Sequence, residues 1–122
     1  MVYQKDLDIE RKWARLMKTL ENNMGKRPKD LNAVLFLIGV QELGQGAKNF
    51  EKEEKQDLMH IAICKLLSFS GFYELEGVDA DGWPHWRNVK PLPRFDLLEQ
   101  EKLLKMHALD YFTEELGLAI PS

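Results

Sequence analysis

Three side chains of metal-ligating types fall where helical periodicity predicts apolar surface: Glu42, His60 and His107. At about 100° per residue, Glu42 lies within about 40° of three apolar positions of its segment, and each histidine has apolar neighbours at helical spacing. Two imidazoles with one carboxylate form the ligand set of many open non-haem iron sites and related divalent sites. If the three helices bring these residues together, the sequence predicts a site for iron, zinc or manganese.

Two aspartates are placed to hydrogen-bond the imidazoles of such a site. Asp57 precedes His60 by three residues and Asp110 follows His107 by three, a spacing that lets each carboxylate orient an imidazole ring. The alternative for all these residues is an ordinary hydrogen-bonded or boundary position, or the wall of a small-molecule pocket. The Glu-x-x-His pairs of di-iron bundles are absent, which weighs against the metal site.

The second group of interest is the aromatic stretch Trp83-Pro84-His85-Trp86, with Tyr73 shortly before it. Tryptophan supplies a large contact area at low entropic cost, so Tyr73, Trp83, His85 and Trp86 are the predicted surface for a partner or a flat ligand. An imidazole between two indoles would make that contact sensitive to pH near neutrality. The alternative is that the rings only cover the open end of the helical core.

A basic stripe on the first helix is a second candidate partner surface. Arg11, Arg15 and Lys18 fall within about 60° of one another and opposite the apolar positions Trp13 and Leu20. The stripe belongs to a wider asymmetry, since residues 1–30 hold eight Lys or Arg against five acids and residues 96–122 hold two against six.

Several chemical motifs are excluded by position. The glycines at 44 and 46 begin like a dinucleotide fingerprint, but Asn49 replaces the third glycine and the run follows a predicted helix. Asp79-Ala-Asp81-Gly82 begins like a calcium loop, yet Lys90 stands where the bidentate Glu is needed, so a tight turn is favoured. A winged-helix DNA binder is disfavoured, because the third helix opens with acids and the net charge is −3.

Four helices are predicted to position these residues, at 6–24, 30–43, 53–70 and 97–116. Asp30 is a suitable N-cap for the second helix and Asp96 with Glu99 a capping box for the fourth. Residues 71–95 hold three Gly and three Pro, and their Asp81-Gly82 step is typical of hairpins. The predicted fold class is therefore mainly α, a single-domain four-helix arrangement with an irregular or β-hairpin segment at 71–95.

Composition narrows the class of protein. A chain of 122 residues that is 44% apolar can form one domain with its own core, and the single cysteine, Cys64, suits a reducing compartment. Within a buried helix Cys64 is expected to be an inert small apolar residue. Charged residues in the first ten positions and the absence of a long apolar run favour a soluble cytoplasmic protein.

The leading functional hypothesis is a non-catalytic binding or interaction domain with no cofactor. Its partner would be another protein, a second copy of the chain or a small molecule, and neither nucleic acid nor membrane is expected. The alternative is a divalent-metal protein or enzyme that uses Glu42, His60 and His107.

Overall fold

The structure, a computed structural model, describes residues 2–46 and 48–120, with side chains from Leu7 onward in the first helix. The elements in chain order are α1 (Val2–Met24), α2 (Leu31–Leu43), α3 (Lys52–Ser68), β1 (Tyr73–Val78), β2 (Pro84–Asn88) and α4 (Leu97–Asp110), followed by a π-helical turn (Tyr111–Glu115). The predicted fold class, a small mainly α domain with a hairpin between the third and fourth helices, is confirmed. Among the described residues, no helix combines the length and hydropathy that crossing a lipid bilayer requires.

Contacts within the chain group into two compact units. The terminal unit comprises Met1–Lys29 and Arg94–Ser122, and the central unit comprises Asp30–Pro93. The terminal unit is therefore built from two separate stretches of sequence, whereas the central unit is continuous.

In the terminal unit α1 packs against α4, because each helix carries an apolar stripe that is removed from water. The buried residues are Trp13, Leu16, Met17, Leu20, Leu104, Ala108, Leu109, Tyr111 and Phe112. Lys105 joins the two helices at the edge of this core. Its side chain is only 13% exposed, with Nζ 3.1 Å from Glu10 Oε1 and 5.4 Å from the centre of the Trp13 ring. The Lys105 ammonium thus lies over the indole ring and is paired with the Glu10 carboxylate.

The fourth helix ends differently from the prediction. The regular α-helix stops at Asp110, and the Leu116 N–H donates to the carbonyl of Tyr111 at 3.1 Å, which widens the last turn to a π-helical one. Tyr111 and Phe112 are both buried here, with ring centroids 5.5 Å apart in an edge-to-face contact. The wider turn is associated with burial of two adjacent aromatic rings.

In the central unit α2 and α3 approach one another closely. Asp30 caps α2 by accepting a hydrogen bond from the Ala33 N–H at 2.9 Å, and Gly44, with a φ of 71°, ends it. Gly39 faces the α3 backbone, where a Cβ atom would stand 2.6 Å from the carbonyl carbon of Leu58. The absence of a side chain at Gly39 therefore allows the close contact between the two helices.

The predicted hairpin is present and carries the aromatic residues. β1 and β2 are antiparallel, with Tyr73 opposite Asn88, Leu75 opposite Trp86, and a bulge between Leu75 and Gly77. The turn at 79–82 is held by the Asp79 carboxylate, which accepts hydrogen bonds from two backbone N–H groups of the segment that follows. The tight turn expected there is thus formed, and it sets the direction in which β2 leaves.

Candidate functional site

A cleft of about 370 Å³ lies between α3 and the hairpin of the central unit. It combines carboxylates, imidazoles and indoles, and we call it the aromatic cleft. Its lining residues are Asp57, His60, Ile61, Asp79, Trp83, Pro84, His85 and Trp86. Its volume lies within the range of about 300–1,000 Å³ that is usual for small-molecule sites.

The α3 wall is positioned by the buried residues of that helix. The helix starts at a capping interaction in which the Glu51 N–H donates to Glu54 Oε1 at 2.9 Å. Leu58 and Ile61 are buried in the core, while Asp57 and His60 are exposed one helical turn apart on the same side of the helix. The buried face thus holds the helix, and the polar residues of the adjacent face line the cleft.

The hairpin wall contributes two tryptophans whose rings are partly buried. Trp83 and Trp86 pack against a core cluster of Leu43, Phe50, Leu58 and Ile61. Each indole therefore covers the core and also lines the cleft. A role in covering the core is thus compatible with a role as a surface for a partner or ligand. The Trp86 Nε1–H is buried and has no hydrogen-bond acceptor among the described residues.

Asp79 and His85 form a fixed pair beside the indoles. Asp79 Oδ2 lies 2.8 Å from His85 Nε2, and Asp79 Oδ1 accepts from the N–H groups of Asp81 at 2.9 Å and Trp83 at 3.0 Å. The His85 hydrogen bond, and then the backbone bonds, hold the pKa of the Asp79 carboxyl below its ordinary value of 3.8. Asp79 is therefore an ionised, pre-oriented carboxylate at neutral pH.

The aromatic cleft is acidic near neutral pH. Asp57 and Asp79 contribute two carboxylates, and no lysine or arginine is among the described residues that line it. Its neutral surface is provided by the indoles, Pro84 and Ile61. An acidic cleft with indole surface is chemically suited to a cation.

Three of the four residues predicted as a partner surface, Trp83, His85 and Trp86, line this cleft. Tyr73 is not among the lining residues: it begins β1, and burial followed by the nearby Cys64 raises the pKa of its phenol. The sequence pattern alone does not connect Asp57, His60 and Asp79 with the aromatic stretch. The spacing of Asp57 and His60 marked a common helix face, but only the folded hairpin brings that face to the tryptophans.

The residues of the predicted metal site are divided between the two units. Glu42 and His60 belong to the central unit and His107 to the terminal unit. Glu42 Oε1 lies 3.8 Å from Lys65 Nζ, so its carboxylate has a cationic neighbour, and His60 Nε2 lies 3.5 Å from Cys64 Sγ. Within the residues described, no group of three or more His, Cys, Asp or Glu side chains is arranged to hold a metal ion. The site for iron, zinc or manganese stays a prediction.

The aspartates assigned to that site have other positions. Asp57 lines the aromatic cleft. Asp110 lies in the terminal unit, where its charge raises the pKa of His107, although burial has the larger effect and lowers that pKa below 6.5. The imidazole of His107 is therefore kept neutral over more of the pH range than an exposed one.

The predicted basic stripe is exposed but is not uniform. Arg11 lies 3.9 Å from Asp8 and Lys18 lies 3.8 Å from Glu21, both pairs on the surface of α1. Arg15, the middle residue, instead lines a second cleft together with Lys12.

Cys64 is fully buried, and burial raises the pKa of its thiol to about 11. A thiol of this kind is a poor nucleophile near neutral pH, which agrees with the expected inert role.

Comparison of the chain with protein-family models, with curated proteins and with solved structures gives no match. The candidate function accordingly depends on the geometry and charge of the clefts.

Proposed function

We propose that the protein is a soluble cytoplasmic binding domain without catalytic activity, and that its aromatic cleft receives an ammonium group of the ligand. The observation that supports this most directly is that two carboxylates and two indoles line one cleft. A free, buried Cys64 is in keeping with a reducing compartment.

The expected affinity follows from the charges. An ammonium about 4 Å from one carboxylate gains about 1 kcal/mol in water-like surroundings, and contact with an indole adds about 0.5–1 kcal/mol at an exposed site. Two carboxylates, Asp57 and Asp79, and one indole then supply about 3 kcal/mol. A lone ammonium is therefore expected to bind with a Kd of a few millimolar, since 1 mM corresponds to about 4 kcal/mol.

The cleft is also organised before any ligand arrives. The Asp79 carboxylate is hydrogen-bonded to the backbone N–H groups of Asp81 and Trp83 and to the ring of His85 in β2. The Gln45 side chain donates to the Asp81 carbonyl at 2.8 Å, which ties the turn at 79–82 to the loop after α2. Both indoles pack on the core cluster. Little side-chain entropy remains to be lost on binding, which favours recognition of a small group.

The direct test is a titration of the isotope-labelled protein with N-acetyl-lysine methylamide, followed by NMR. The Trp86 indole resonance and the backbone resonances of Asp57, His60 and Trp83 are expected to shift in fast exchange. The same probe with its side-chain amine acetylated has no positive charge, and it is expected to bind at least fivefold more weakly. Equal binding of the two probes would refute the proposal.

A pair of variants localises the effect. Asp57→Asn removes one carboxylate of the cleft while keeping its size, and it is expected to weaken binding about fivefold, corresponding to about 1 kcal/mol. Glu53→Gln is the matched control, because Glu53 is an exposed acid of the same helix that does not line the cleft. Comparing the affinity for N-acetyl-lysine methylamide with that for n-butylammonium shows whether the cleft prefers a lysine side chain of a partner protein or a free alkylamine. Equal losses in both variants would show that only general surface charge is involved.

A further inference from the structure

A second cleft, of about 410 Å³, lies in the terminal unit between α1 and the end of α4. Its apolar wall includes Ile9, Met106 and Leu109, and two cations of α1, Lys12 and Arg15, line the same space. The volume again falls within the range of about 300–1,000 Å³ that small-molecule sites occupy. We call this the amphipathic cleft.

The two cations differ from the other basic residues of α1 whose side chains are described. Arg11 and Lys18 each have an acidic neighbour three residues away, at 3.9 Å and 3.8 Å. For Lys12 and Arg15, no ion pair is found with any described residue, although they lie one helical turn apart beside the same apolar wall. Their donors are available to an anion that enters the cleft.

Asp110 limits which anions fit. Its carboxylate lines the same cleft, so Lys12, Arg15 and Asp110 together carry a formal charge of one positive unit at neutral pH. A ligand with a single negative charge balances this arrangement, whereas a dianionic phosphate group would be repelled by the carboxylate. Arginine also matches a carboxylate group geometrically, since its planar donors can form two parallel hydrogen bonds.

The end of α4 gives this cleft an irregular wall. Asp110 is the last residue of the regular helix, and Thr113, from the π-helical turn, also lines the cleft. Thr113 therefore brings the widened turn into the lining of the cleft.

We propose that the amphipathic cleft binds a monocarboxylate with a short aliphatic tail, its carboxylate against Lys12 and Arg15 and its tail against Ile9, Met106 and Leu109. This site is separate from the aromatic cleft, and its ligand has the opposite charge. Two cations, Lys12 and Arg15, line this concave space.

The probe for the test is sodium octanoate below its micellar concentration, titrated into the full chain and followed by NMR or calorimetry. Octanol has the same tail without the charge and is expected to bind at least tenfold more weakly. The double variant K12Q/R15Q is expected to weaken octanoate binding at least tenfold, while Lys18→Gln, on the same helix but outside the cleft, leaves it unchanged. Asp110→Asn removes the opposing charge and is expected to strengthen octanoate binding severalfold.

Three results would overturn the proposal. They are equal binding of octanol and octanoate, equal losses in K12Q/R15Q and Lys18→Gln, and binding of the chain to anionic phospholipid vesicles without binding of monomeric octanoate. Lys12 and Arg15 are exposed, so the double variant is expected to keep the far-ultraviolet circular dichroism of the original chain. If it does not, the single variants Lys12→Gln and Arg15→Gln are each expected to lose at least threefold, and no loss in either would refute the site.

Discussion

Replacing Gly39 by alanine tests the packing that supports the aromatic cleft. A Cβ atom at this position would stand 2.6 Å from the carbonyl carbon of Leu58 and 2.9 Å from its Cβ. Carbon atoms in good contact are about 3.5–4.0 Å apart, so α2 and α3 would have to separate by about 1 Å. Because Asp57 and His60 lie on α3 beside Leu58, the cleft would move with that helix.

Two effects of opposite sign determine how Gly39→Ala changes the free energy of unfolding. Alanine is favoured over glycine within a helix by about 0.8–1 kcal/mol. Overpacking of a well-packed core costs about 1–3 kcal/mol, and the upper figure applies here because the nearest atoms belong to the backbone of Leu58 rather than to a flexible side chain. The net expected loss in the free energy of unfolding is about 2 kcal/mol, which lowers the Tm by about 8 °C for a domain of this size.

The assay is urea unfolding of Gly39→Ala followed by circular dichroism and by tryptophan fluorescence. Gln41→Ala is the control, since Gln41 is an exposed residue of the same helix and its replacement is expected to change the free energy of unfolding by less than about 0.5 kcal/mol. A Gly39→Ala protein that is as stable as the original, or more stable, would show that helix propensity dominates and that the two backbones are not in close contact.

Two further predictions concern groups whose pKa values are shifted. The Asp79 carboxyl is expected to titrate below 3.8 by NMR, and His85→Gln is expected to raise that pKa, because the His85 hydrogen bond is its largest cause. The stabilising contribution of the Asp79 carboxylate is accordingly present above about pH 4 and is lost as the pH falls through the lowered pKa, whereas a pKa at or above 3.8 would contradict the hydrogen bonds. With a thiol pKa of about 11, Cys64 is expected to react with iodoacetamide at pH 8 very slowly in the folded protein and far faster in urea. Rapid labelling of the folded protein would show that the thiol is accessible.

Local features of the sequence were sufficient to predict which segments form helices. Periodicity and capping residues predicted all four helices, and the Asp30 cap, the Gly44 stop and the hydrogen bond from the Glu99 N–H to Asp96 are present as expected. The bounds of three helices were wrong, and the first helix begins at Val2 instead of residue 6. The third helix stops at Ser68 instead of residue 70, and the fourth gives way to the π-helical turn after Asp110. That turn accompanies the burial of Tyr111 and Phe112, a tertiary effect that helical periodicity does not contain.

The candidate site was predictable only in part, because some of its residues are close together in the sequence and others meet only in the folded chain. The tryptophans and His85 are adjacent in sequence and were recognised as one surface. Asp57 and His60 lie more than 20 positions earlier and join that surface only because the hairpin folds against α3. In the terminal unit, the helical wheel predicted a solvent-facing stripe of Arg11, Arg15 and Lys18, and all three are exposed. It could not show that Arg15, together with Lys12, lines a cleft whose other wall comes from α4.

The discontinuous terminal unit has a consequence for synthesis of the chain on the ribosome. Lys105 contacts Glu10, a residue 95 positions earlier, so α1 is made long before α4. At about 5–20 residues per second, α1 remains without this partner for roughly 5–20 s, and its apolar stripe is exposed during that time. The central unit, by contrast, is complete as soon as Pro93 has been added. A released chain that ends at Pro93 is therefore expected to be cleaved within α1 by a protease faster than the full chain, in which α4 covers that stripe.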